Sequence, residues 1–91
     1  MNNFVIATAA RLAAENYTGM PCVVDNRSSK LGVAYKIAKV GIGRGVSTVA
    51  LVYMDGSVEW NNVEIPCGFN SRMDDAMYQL MPLAKRVAAS W

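Results

Sequence analysis

Cys22, Cys67, Glu59, Glu64, Asp74, Asp75 and the run Gly41-Ile42-Gly43-Arg44-Gly45 are the positions in this chain whose residue types could carry chemistry. A thiol nucleophile needs a base beside it. The chain has no histidine, so it lacks both the commonest base and the commonest metal ligand. Two cysteines are also too few for a zinc cluster, and they read as reduced, partly buried thiols, with a single bridge between them left open. Asp74 and Asp75 are neighbours, so on a helix they diverge by about 100° and cannot act together across one bond. Glu59 and Glu64 have no acid, amide or base near them in sequence that would define a reaction. The glycine run would cradle a phosphate only if it fed a helix N-terminus, whereas the residues after it alternate with a period of two. It reads as a hairpin turn with Arg44 at its tip. No enzyme, catalytic residue, cofactor or metal is expected.

The basic residues are unevenly placed. Arg27, Lys30, Lys36, Lys39 and Arg44 all lie between Asp25 and Asp55 with no acid among them. Such a patch could contact nucleic acid or an acidic protein. The net charge is only +2, which limits affinity driven by counterion release, and alternation along a strand puts Lys36 and Lys39 on opposite faces.

These residues must be carried by a single domain, 1–91, since 91 residues with 53% apolar and 18% charged content fit one core and exclude intrinsic disorder. Residues 3–16 read as a helix, capped by Asn2 or Asn3, rich in alanine, and stopped by Gly19 and Pro21. The apolar start of this segment lacks a basic leader and is too short to span a membrane, so a cytoplasmic setting is expected. A strand at 22–25 follows, and then an antiparallel meander. Asp55-Gly56 suggests a two-residue type I′ turn, which pairs Tyr53 with Val58 and Leu51 with Trp60. A three-residue loop at 43–45 pairs Ile37 with Leu51. Both registers predict one core face of Tyr35, Ile37, Val49, Leu51, Tyr53, Val58 and Trp60, with a bulge near Asn61-Asn62 returning Val63 and Ile65 to it. The last segment starts with Ser71 as a cap for Asp74 and carries a stripe of Met73, Met77, Leu80, Ala84, Val87 and Trp91. Pro82 kinks or restarts it near Met81. Tyr78, Met81 and Leu83 lie off the stripe and are expected to be exposed. The fold class is therefore α+β: a sheet of about four strands packed by an N-terminal helix and a kinked C-terminal helix.

The runs Val33-Ala34-Tyr35-Lys36-Ile37-Ala38-Lys39-Val40 and Val49-Ala50-Leu51-Val52-Tyr53-Met54-Asp55-Gly56-Ser57-Val58-Glu59-Trp60 resemble the hairpins of SH3-like and Tudor-like small barrels. In type rather than motif, a compact chain with no catalytic set resembles the small proteins with which bacteriophages block host machines, anti-CRISPR and anti-restriction proteins among them. The second resemblance implies a stoichiometric protein-binding inhibitor or regulator of a host nucleic-acid enzyme complex. Arg27, Lys30, Lys36, Lys39, Arg44, Tyr78 and Met81 are its candidate partner-binding residues. A nucleic-acid-binding accessory protein using the five basic residues is the alternative, and association with a second copy stays open.

Overall fold

A computed structural model of the chain describes residues 2–26, 30–41 and 45–90, without the side chains of residues 45 and 46. The order is α1 (Asn3–Thr18), β1 (Cys22–Asp25), β2 (Val33–Gly41), β3 (Gly45–Tyr53), β4 (Val58–Trp60), a 3-10 turn (Cys67–Phe69), α2 (Asn70–Gln79) and α3 (Met81–Ala89). The strands form one antiparallel sheet in the order β1-β2-β3-β4. This is the expected α+β fold, with the kink at Pro82 resolved into two helices.

The Asn2 side chain caps α1 by accepting from the Phe4 N–H, and Gly19 closes it in the left-handed region at φ 69°. Ile6, Ala7, Thr8, Ala9 and Ala10 are all buried, and five consecutive residues at 100° steps cover every side of a helix. The alanines let neighbours approach from all directions, so α1 lies against β1, β2 and β3 and also against α2 and α3. Thr8 is the one buried hydroxyl residue among the described residues, and its Oγ1 donates to the Phe4 carbonyl at 2.8 Å. In place of the expected single apolar face, α1 is buried on every side over residues 6–10, and α3 packs on α1 rather than on the sheet.

The register of β3 differs from expectation by one residue. Ala50 pairs with Trp60, Leu51 with Glu59, and Val52 with Val58. The Tyr53 N–H donates to the Ser57 carbonyl and the Gly56 N–H to the Tyr53 carbonyl, so the loop holds three residues, with Gly56 at φ 90°. On the other side Ile37 pairs with Ala50 and Tyr35 with Val52, with irregularities between Ile37 and Ala38 and between Val33 and Tyr35. Ala50 and Val52, not Leu51 and Tyr53, therefore join Ile37 and Trp60 in the core beneath α1. Packing decides this: a helix surfaced with alanine sits close to the sheet, and small side chains fill that gap better than Leu and Tyr.

Two further expectations are corrected. Asn61 ends β4 by bonding the Thr48 carbonyl through its Nδ2 at 2.7 Å and the Val63 N–H through its Oδ1 at 3.1 Å. The turn it starts leaves Val63 88% exposed while Ile65 returns to the core. Ser71 is not a cap: α2 begins at Asn70 out of the 3-10 turn, and Asp74 is used elsewhere. Met73, Met77 and Ala84 from the expected stripe are buried.

Candidate interaction surface

With α1 on one side of the sheet, the alternation of each strand sends the other set of side chains away from the core. That far face carries Val23 and Asp25 from β1, Lys36 from β2, Leu51 and Tyr53 from β3, and Glu59 from β4. No helix among the described residues packs on it. Glu59 is the hub of its polar end. The Tyr53 hydroxyl donates to Glu59 Oε1, and Lys30 Nζ lies 3.4 Å from the same oxygen and 5.5 Å from the Tyr53 ring centre. The Tyr53 hydroxyl, and then Lys30, hold the Glu59 carboxyl below its ordinary range. Tyr53 and Glu59 in turn hold the Lys30 ammonium above its ordinary value.

Beside this hub lies an apolar tip. The Met54 N–H donates to the Gly32 carbonyl at 2.9 Å, which ties the loop before β2 to the turn after β3. Leu31 is 96% exposed on one of these segments and Met54 69% exposed on the other. Asn3 Nδ2 donates to the Met54 carbonyl at 2.9 Å, so the first turn of α1 fixes the tip from behind. Leu31 and Met54 thus put two large apolar side chains into solvent beside the Tyr53, Lys30 and Glu59 hub.

The sequence-derived candidates are dispersed. Lys30 belongs to the hub. Lys36 stands on the far face between Asp25 and Leu51. Lys39 lies on the helix side opposite Cys22, and its Nζ is 2.7 Å from Glu64 Oε2. Two of the basic residues therefore face carboxylates, which weakens a phosphate-binding stripe. Arg27 and Arg44, including the expected place of Arg44 at a hairpin tip, lie outside the described residues. Tyr78 is 68% exposed on α2, far along the chain from the hub. Met81 is a correction: it is 8% exposed and part of the core, because the break at Leu80 turns α3 so that Met81 meets the same cluster as Met77. Leu31 escaped the sequence reading, although an aliphatic residue between the polar run Ser28-Ser29-Lys30 and Gly32 was a legible signal.

On the helix side of β4, Trp60 is buried and its Nε1 donates to Asp74 Oδ1 at 2.8 Å, which joins the sheet to α2. Cys22 is buried and Cys67 exposed, both as free thiols. Burial, and then the nearby Glu15 carboxylate, push the Cys22 thiol up, away from the reactive thiolate. Among the described residues no three His, Cys, Asp or Glu side chains gather as a metal-holding group, and no helix is long and apolar enough to cross a membrane. Comparison of the chain with protein-family models, curated proteins and solved structures returns no match.

Proposed function

We propose that this chain is a non-enzymatic protein-binding module that acts stoichiometrically, by covering a surface of its partner. The observation that carries the reading is the tip, where Leu31 and Met54 stand in solvent on two segments tied together beside Tyr53, Lys30 and Glu59. An exposed methionine and a tyrosine match the Met and aromatic enrichment of interface cores, and the charged residues beside them suit a polar rim. The resemblance in type to phage inhibitors points to a host nucleic-acid enzyme complex as the partner, in a reducing cytoplasm where Cys22 and Cys67 stay thiols.

The test is capture from host lysate by wild type and by two variants. Leu31→Asp combined with Met54→Asp alters only exposed side chains, and surface changes of this kind usually shift stability by no more than about 0.5 kcal/mol. The expected result is one dominant protein complex on the wild type, lost with the double variant and kept with Tyr78→Ala in the helical layer. Equal capture by all three overturns the assignment to the tip. Binding of generic DNA or RNA that weakens steeply with salt favours the nucleic-acid alternative instead.

A further inference from the structure

We propose that the outer edge of β4 accepts an extended, basic segment of the partner protein as a fifth strand. This deepens the protein-binding reading above and rests on it. β4 is the last strand of the sheet and, among the described residues, pairs only with β3. The Tyr53 N–H to Ser57 carbonyl and Asn61 N–H to Val49 carbonyl bonds point residues 57 and 61 inward toward β3. By antiparallel alternation Glu59 also bonds inward, which leaves the N–H and C=O of Val58 and Trp60 facing out. None of these four groups has a hydrogen-bond partner among the described residues. The opposite edge is partly closed, because Glu15 Oε2 accepts the N–H of Cys22 at 3.0 Å.

The surroundings of β4 set the chemistry of the occupant. A hollow of about 460 Å³ runs along this edge, lined by Val58, Trp60, Asn62, Asn70 and Asp74 among others. Its lining offers acceptors: Asn70 Oδ1 is buried without a partner, and beside it lies the Asp74 carboxyl, one oxygen of which takes the Trp60 indole N–H. On the far face of the same strand Glu59 already meets Lys30 and the Tyr53 hydroxyl, so the unmatched acceptors lie on the helix side. An added strand therefore turns its alternate side chains toward Asp74 and Asn70, and there donors and cations fit. A second copy of the chain is the poorer occupant. Antiparallel pairing of β4 with itself, centred on Glu59, sets two glutamates directly opposite each other.

The test uses the full chain and an array of extended heptapeptides that alternate lysine with apolar residues, with glutamate-for-lysine analogues as controls. Hydrogen exchange followed by NMR reads the Val58 and Trp60 amides. The Val58 amide exchanges quickly in the free protein, and both amides gain protection when a lysine-bearing peptide binds, while the glutamate analogues leave them unchanged. Val58→Pro removes one outward N–H without touching the ladder to β3, and it should weaken peptide binding about tenfold. Val58→Ala keeps that N–H and should bind like wild type. If no lysine-bearing peptide protects these amides, or if Val58→Pro and Val58→Ala bind alike, the edge assignment is wrong. The lysate experiment then still decides on the tip, so the two claims fail separately.

Discussion

Glu59 gathers its partners on an exposed strand, and its titration reports the hub. Its carboxyl lies below the ordinary glutamate range because the Tyr53 hydroxyl, and then Lys30, stabilise the charged form. The sign follows from linkage: a depressed folded-state value adds stability that is present above the unfolded value and is lost as pH falls through the folded one. In Tyr53→Phe the Glu59 midpoint should move up toward the ordinary range, measured by carboxyl carbon NMR; an unmoved midpoint contradicts the hydroxyl's role. Trp60 and Asp74 make the opposite kind of contact, partly buried and structural. Asp74→Ala leaves the indole N–H buried without an acceptor and should cost about 1–3 kcal/mol in urea unfolding. Neither partner's role was legible in sequence. Asp74 sits where a capping box would use it, and only the approach of β4 to α2 reassigns it to Trp60.

At the scale of elements, the turn after β3 decides what the far face contains. Asp55-Gly56 is compatible with a two-residue type I′ turn and with the three-residue loop observed, and these differ by one residue in register. Sequence therefore located the hairpin but could not fix which side Leu51 and Tyr53 take. The alanines of α1 settle it, through close packing on Ala50 and Val52. Helix α1 and strand β1 were readable because their signals are local: a cap at Asn2, a glycine at 19, a short apolar run at 22–25. The irregularities at Val33/Tyr35 and Ile37/Ala38 leave no such mark. In the loop itself Gly56 holds φ 90°, and a Cβ there would meet Ile6 Cδ1 at 3.5 Å and Asn3 Oδ1 at 3.7 Å, which is ordinary contact. Gly56→Ala should therefore cost only the left-handed backbone penalty, about 1–2 kcal/mol by thermal or urea unfolding. Gly56→Asn should cost less.

Across the whole molecule, α1 packs on one face of the sheet, α2 and α3 pack on α1, and α2 also reaches β4 through Asp74 and Trp60, with the proposed interaction surface on the face the helices leave open. The two thiols report the integrity of this arrangement. Cys22 lies in the core between β1 and α1, and Cys67 stands in solvent before α2. An aromatic disulfide reagent should modify Cys67 promptly and Cys22 only as fast as the fold opens, so mass spectrometry of the native protein should find one label and of the urea-unfolded protein two. The surface itself depends on Leu51, Tyr53 and Glu59 sharing the far face. Hα–Hα NOEs between strands β3 and β4 test this most directly, because the close, non-hydrogen-bonded pairs of an antiparallel ladder bring their Cα atoms to about 4.5 Å. Strong cross-peaks for Ala50–Trp60 and Val52–Val58 are predicted. Cross-peaks for Leu51–Trp60 and Tyr53–Val58 in their place would turn Leu51 and Tyr53 into the core and remove the hub from the open face.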